Sequence, residues 1–243
     1  MKTLAIIQAR MGSTRLPGKI LKEVNGKTLL EYQIERIQRS EMIDDIVIAT
    51  TKKEAEEPII RLCKKLGISY YQGSEDDVLK RYYEVAIENK ADTIVRLTSD
   101  CPLIDPNIMD DVIQHYIQNR NSIDYCSNTI ERTFPRGLDV EVFSFKALEY
   151  AFENAVLSSD REHVTSFIYT NPNLFKVAGI TNDIDLSQYR WTVDTIEDFE
   201  LIANILDSLY PLKNDFLLKD VIKLLNENMH WNNINVNIEQ KKL

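Results

Sequence analysis

Four short β-rich runs alternate with four amphipathic stretches in the first half of the chain, and that alternation restricts the fold more than any other feature. Thr3–Gln8, Ile46–Thr50, Ser69–Gln72 and Thr93–Leu97 have the length and composition of buried strands. Leu29–Ser40, Lys53–Leu66, Asp77–Asn89 and Pro106–Asn119 repeat apolar residues at i, i+3 and i+4, as Ile59, Leu62, Cys63 and Leu66 do. Strand and helix in alternation, four times over, predict a parallel sheet with right-handed crossovers and helices on both faces. The punctuation agrees. Asp105 before Pro106 reads as an N-cap with proline at the first helical position, and Ser74 with Asp77 resembles a capping box.

The second half is less regular. Asp124–Ser127, Val140–Ser144, Phe175–Ile180 and Tyr189–Val193 read as strands, with helices over Phe145–Asn154, about Arg161–Thr170, Ile196–Leu209 and Phe216–Asn228. No Gly/Ser linker or composition break divides the 243 residues, so they are expected to form one α/β domain, residues 1–243, with a small α+β annex at about 122–184. The tail from Asn232 is Asn-rich, then basic, and is expected to fray.

Composition removes several classes of function. With 44% apolar and 28% charged residues the chain is neither disordered nor a coiled coil. A net charge of −9 argues against broad nucleic-acid binding, which needs a wide basic footprint. Cys63, Cys101 and Cys126 form no CxxC pair and read as free thiols of a reducing compartment, not as a zinc site. The apolar opening Leu4–Ile7 is too short for a membrane span or a signal-peptide core. A cytoplasmic protein is expected, without membrane or nucleic-acid partners. The negative charge is also unevenly spread: Arg10, Arg15, Lys19, Lys22 and Lys27 against Glu23 give a local +4, leaving −13 on the other 225 residues.

That basic stretch begins with Gln8–Lys19, QARMGSTRLPGK, directly after the first strand. In an open α/β sheet ligands bind beyond the carboxyl ends of the strands, so the loop lies where a nucleotide would sit. Gly12, Ser13 and Thr14 permit close backbone approach, and Arg10, Arg15 and Lys19 supply cations for phosphate oxygens. The spacing is neither GxGxxG nor GxxxxGK[ST], which excludes the dinucleotide and P-loop readings.

AIIQARMGSTRLPGKIL, RLTSDCPLIDP and RWTVDTIEDFELI resemble the three signatures of bacterial cytidylyltransferases that activate acidic sugars, a group including CMP-Kdo and CMP-sialic acid synthetases. GSEDDVLKRYYEVA, FPRGLDVEVFSFKALE and REHVTSFI are similar to the branch of the spore coat polysaccharide biosynthesis protein F type, and the resemblance extends to about Leu209. It implies a Rossmann-like nucleotide-diphospho-sugar transferase (GT-A type) fold. It further implies transfer of CMP from CTP to a sialic- or Kdo-like sugar acid with release of pyrophosphate, Mg²⁺ dependence, and a homodimer in surface polysaccharide biosynthesis. One departure is Ser99, where many relatives carry glycine before the aspartate of the second signature.

Nucleotidyl transfer passes through a crowded, negatively charged phosphorus centre, so cations must hold the triphosphate and one or two carboxylates must bring Mg²⁺. Arg10 and Lys19 are similar to the family's phosphate-binding Arg and Lys, with Arg15 on the same surface; Ala9, Gly12 and Ser13 complete that loop. Asp100 ends the fourth strand, and since Asp105 already caps the next helix, Asp100 is left for the metal and the reacting centre. Asp194 is the second metal carboxylate, because Thr195 with Asp198 forms the capping box that follows it. Ser74 and Asp76 fall in the family's base-reading loop, although Ser74 also suits a helix cap. Arg136, Asp139, Glu141 and His163 are polar residues where an acceptor sugar would dock. Periodicity leaves open whether Arg96 faces the nucleotide or pairs within the sheet. Cys101 has no neighbouring base and reads as a packing residue, and the Phe143, Phe145, Leu148, Phe152 stripe as core or subunit contact. The alternatives are the same fold with another nucleoside triphosphate or a sugar-phosphate acceptor, a glycosyltransferase that releases no pyrophosphate, and a non-catalytic nucleotide-binding protein.

Overall fold

β1 (Thr3–Gln8) is buried on both faces, sending Ala5 and Ile7 into one core and Leu4 and Ile6 into another, which places it inside a sheet covered on both sides. In the computed structural model, which describes residues 1–240, the chain continues through the short β2 (Glu23–Val24) and β3 (Lys27–Thr28) into α1 (Leu29–Ile37). The regular alternation follows: β4 (Asp45–Thr51), α2 (Glu57–Leu66), β5 (Ser69–Gly73), α3 (Val78–Glu88), β6 (Thr93–Thr98) and α4 (Pro106–Asn119). The remainder comprises β7 (Tyr125–Ser127), β8 (Glu141–Ser144), α5 (Phe145–Asn154), α6 (Ser158–His163), α7 (Ser166–Tyr169), β9 (Val177–Gly179), α8 (Ile196–Leu209) and α9 (Leu218–Glu227).

Seven strands form one sheet in the order β5-β4-β1-β6-β8-β7-β9. The pairings β5·β4, β4·β1, β1·β6 and β7·β9 are parallel and only β8 runs against its neighbours β6 and β7, so the sheet is mostly parallel. α1, α2 and α4 pack on one face through Ile34, Ile59, Leu62 and Val112, and α3 and α5 on the other through Tyr82, Val85 and Leu148. A third cluster joins α8 and α9 to Trp191, Val193 and Phe134. No described helix is long and apolar enough to cross a membrane.

The first-half elements match the expected ones within a few residues at their ends. Two second-half expectations fail, each for a tertiary reason. Tyr189–Val193 is not a strand of the sheet; among the described residues its only bridge pairs Arg190 with Arg136. The segment is held by loops instead, Trp191 N donating to the Arg136 carbonyl (2.7 Å) and Val193 N to that of Asp100 (2.9 Å). The helix expected at 161–170 is split into α6 and α7 by Val164, whose backbone (φ 63, ψ −59) and Thr165 N–His163 O bond of 2.6 Å form a γ-turn. Val164 is fully buried and Thr165 Oγ1 donates to Glu141, so core packing and a buried carboxylate outweigh helix continuity. Ser74 does not cap α3; Asp77 does, accepting from Lys80 N, while Ser74 Oγ closes the preceding turn by accepting from Asp77 N.

Candidate active site

β1 and β6 end side by side, Ser99 N donating to the Gln8 carbonyl, and the loop after β1 folds back over these strand ends. Ser13 N and Gly18 N both donate to the Met11 carbonyl (2.9 and 3.2 Å), and a 3₁₀ turn at 19–21 redirects the chain. Glu56, 2% exposed, fastens the loop to the end of β4: its Oε2 accepts from Met11 N (2.8 Å) and its Oε1 from Thr51 Oγ1 (3.1 Å). A Cβ on Gly12 would meet nothing within 4 Å, so the loop leaves open space there. Ser99 avoids the left-handed region, and the change from glycine therefore costs the backbone nothing.

Over these strand ends opens a cleft of about 580 Å³, within the range of small-molecule sites. Ala9, Arg10, Gly12, Ser13, Arg15 and Lys19 line it from the loop. Asp100 enters from the end of β6 and Asp194 from the segment before α8, and Asp76 and His163 complete the expected residues found there. The cleft sets the cations Arg10, Arg15, Lys19 and Arg81 among the carboxylates Glu75, Asp76, Asp100, Glu162 and Asp194, and the local +4 does not all point into it. Lys22 lies over the Phe199 ring and Lys27 pairs with Glu35 and Tyr210.

Lys19 Nζ stands between the two aspartates, donating to Asp100 Oδ2 (3.1 Å) and Asp194 Oδ1 (2.7 Å). Burial works against the ammonium charge, but the two carboxylates outweigh it and raise its pKa. The Asp100 carboxyl is held below its usual range, Lys19 and Thr98 overcoming the opposing effect of burial. Arg15 (2.9 Å) and Arg190 (2.8 Å) reach the other oxygen of Asp194, Oδ2. Among the described residues no three His, Cys, Asp or Glu side chains gather in a metal cage. A pair of hard oxygen donors already bridged by a cation does fit Mg²⁺, which takes one or two carboxylates and leaves its other positions to water and phosphate.

The other expected residues lie elsewhere. Ser74 belongs to the turn before α3 and does not line the cleft. Glu141 is buried and committed to Arg96, Tyr125 and Thr165, which also decides Arg96: it pairs within the sheet. Asp139 is taken by a two-pronged pair with Arg132 (2.6 and 2.9 Å). Arg136 lines a separate pocket beside Arg190 and the C-terminal segment; burial and the neighbouring Arg132 lower its pKa. Cys101 is buried, its thiol pushed well up by burial, and the Phe143 stripe is core, with Phe145 and Phe152 stacked on Tyr83.

Residues not anticipated from sequence also line the cleft, among them Arg81, Thr98 and Glu162. Arg81 carried a legible signal, since it occupies the buried stripe Val78, Tyr82, Val85 of α3, where a charge needs a reason. Its guanidinium donates to the Ser74 carbonyl (2.7 Å), and burial lowers its pKa. The Arg96–Glu141 pair supports the floor beneath. Breaking a buried pair typically costs about 3–5 kcal/mol, so Arg96→Met is expected to lose that much stability in denaturant unfolding, far more than an exposed pair such as Lys80–Glu84.

The mostly parallel sheet, helices on both faces and a cation-lined cleft beyond the strand ends define a Rossmann-like nucleotidyltransferase. The profile described as cytidylyltransferase matches residues 4–241. An uncharacterized protein of Methanocaldococcus jannaschii, MJ1063, is 40% identical over 99% of this chain and 97% of its own length. The spore coat polysaccharide biosynthesis protein SpsF of Bacillus subtilis is 35% identical over 93% of this chain and 94% of its own. A solved cytidylyltransferase structure from Leptospira borgpetersenii superposes with a TM-score of 0.92 at 35% identity, covering both chains completely. The chain belongs to the cytidylyltransferase family and is a CTP-dependent nucleotidyltransferase.

Proposed function

We propose that this protein transfers CMP from CTP to a hydroxyl of an acidic, sialic- or Kdo-like sugar, releasing pyrophosphate, in surface polysaccharide biosynthesis in the cytoplasm. The observation that carries the reading is the Lys19 ammonium seated between Asp100 and Asp194 in a cleft also lined by Arg10 and Arg15. The acidic acceptor rests on the three signature stretches, and the polysaccharide context on likeness to SpsF.

Arg10, Arg15 and Lys19 hold the triphosphate, with the open backbone at Ala9, Gly12 and Ser13 admitting its close approach. Asp76 and Arg81, beside the turn after β5, face the base end. Asp100 and Asp194 would hold Mg²⁺, which would supply positive charge against the phosphate oxygens. The acceptor hydroxyl releases its proton to water as its oxygen bonds to the α-phosphorus and the bond from that phosphorus to the α–β bridging oxygen breaks, and the leaving pyrophosphate stays neutralised by the loop cations. His163, the last residue of α6, lines the cleft on the side assigned to the acceptor. Two copies meet through the annex, where Val156 (88%) and Leu157 (62%) stand exposed.

A panel of CTP, UTP, GTP and ATP with a sugar-acid library, read by pyrophosphate release, tests the reading. CTP is expected to turn over fastest, and only with an acidic acceptor. Equal rates for another nucleotide, or turnover confined to sugar phosphates, would contradict it. Leu157→Asp is expected to shift the sedimentation coefficient from dimer to monomer; an unchanged value removes the annex as the contact.

A further inference from the structure

The C-terminal segment expected to fray is instead built into the site. Asn235 is 6% exposed, and its Nδ2 donates to the Arg190 carbonyl and to Asp198 Oδ1, both at 2.9 Å. Asp198 has no exposed surface at all. A buried carboxylate must fill its lone pairs, and this one does so with Asn235, with Arg190 Nε (2.9 Å) and Nη2 (3.0 Å), and with the backbone N–H groups of Asp194 (3.0 Å) and Thr195 (3.2 Å).

These bonds converge on one side chain. Arg190 Nη2 also donates to Asp194 Oδ2, while Asp198 anchors the Asp194 backbone. With Oδ2 engaged by guanidinium, Oδ1 is the oxygen presented to the cation seat, where Lys19 meets it. The carboxylate rotamer of Asp194 is thus set by Arg190 and Asp198, and the tail residue that ties both is Asn235, some forty residues along the chain, while Gln240 Oε1 accepts from Arg190 Nη1 alone. Nothing in the tail's composition signals this, because the bonds depend on where the tail returns and not on its own periodicity.

We propose that Asn235 is a positioning residue for the cation-binding carboxylate Asp194, which makes the C-terminal segment part of the metal–nucleotide site. The inference rests on the proposed role of Asp100 and Asp194 as metal carboxylates. Partners that orient metal ligands typically contribute 10–100-fold to affinity. Removing Asn235 leaves Asp198 short of a donor and frees the 190–198 turn, and the loss falls on metal-dependent binding.

The test is calorimetric titration of the full chain with CTP, once in EDTA and once with Mn²⁺, for wild type, Asn235→Ala, Asn235→Asp and the exposed tail control Asn237→Ala. Wild type and N237A are expected to show the same large Mn²⁺-dependent gain in CTP affinity. N235A is expected to lose roughly 10-fold of that gain and N235D, which sets a second carboxylate against Asp198, up to roughly 100-fold, with CTP affinity in EDTA unchanged within about twofold. Thermal melts of each variant confirm folding, and N235A suffices if N235D does not fold. A full Mn²⁺-dependent gain in N235A overturns the proposal. So does equal weakening with and without metal, which marks a merely structural tie. A wild type with no Mn²⁺-dependent gain overturns the parent reading of Asp100 and Asp194 instead, before any variant is compared.

Discussion

Lys19→Met is expected to abolish most nucleotidyl transfer while strengthening the binding of a bare divalent cation, two effects of opposite sign from one substitution. Loss of a preorganised charge at a developing anion lowers turnover by roughly 10²–10³-fold, and CTP affinity is expected to fall with it. The same ammonium occupies the seat between Asp100 and Asp194 at 2.7 and 3.1 Å, so it competes with any metal arriving alone. A unit-charge pair at 4 Å and an effective dielectric of 20 is worth about 4 kcal/mol, and a third of that is a tenfold change in affinity. Mn²⁺ titrated without nucleotide, followed by its paramagnetic resonance signal, is therefore expected to bind the variant at least about tenfold more tightly than the wild type. Unchanged Mn²⁺ affinity would show that the ammonium does not guard the seat. The wild-type enzyme is expected to take up metal together with nucleotide, whose phosphates give Lys19 another partner.

Gly137→Ala is expected to be the most damaging single-methyl change in the chain. Gly137 has φ +100, and a Cβ there would lie 2.6 Å from the Trp191 carbonyl carbon and 2.7 Å from its oxygen and from Thr192 N. Backbone atoms cannot swing aside as a flexible side chain would. Overpacking and an unfavourable φ together cost about 2–5 kcal/mol, or roughly 4–20 °C in melting temperature for a chain of this size. The damage is directional, because Trp191–Val193 is the segment pinned between the Arg136 and Asp100 carbonyls that delivers Asp194 to the cleft. Activity is expected to fall further than stability at temperatures where the variant remains folded. A melting temperature within 2 °C of wild type, about half the least shift expected, would show that the segment has slack.

Much of this arrangement was legible in the chain. β1, β4 and β6 declared themselves because strands buried on both faces are continuous apolar runs, and the helices between them repeat every three to four residues; β5, expected to be buried, is instead the partly exposed edge strand, signalled by its Tyr70–Tyr71 pair. Asp100 and Asp194 were legible by elimination, since Asp105 and the Thr195–Asp198 box were visibly taken by helix caps, and both caps are present. Directions of polar side chains on short second-half segments were not. Glu141 and Asp139 lie two residues apart, yet one is buried against Arg96 on the neighbouring strand and the other bonded to Arg132 seven residues back in the preceding loop, choices that the local pattern does not show. The same holds for Arg136, turned to the tail pocket, and for Tyr189–Val193, extended in sequence pattern but bonded to loops. Glu56 and Asn235, which fasten the loop after β1 and the Asp194 turn, carry no local signature at all.

The most direct test of the central claim is the structure of the crystalline complex with CTP and Mn²⁺, the metal located by its anomalous scattering. The metal is expected on Asp100 and Asp194, the triphosphate along Arg10, Arg15 and Lys19, and Lys19 Nζ moved from the aspartates to a phosphate oxygen. A metal bound away from both aspartates, or a triphosphate lying outside the loop after β1, would contradict it.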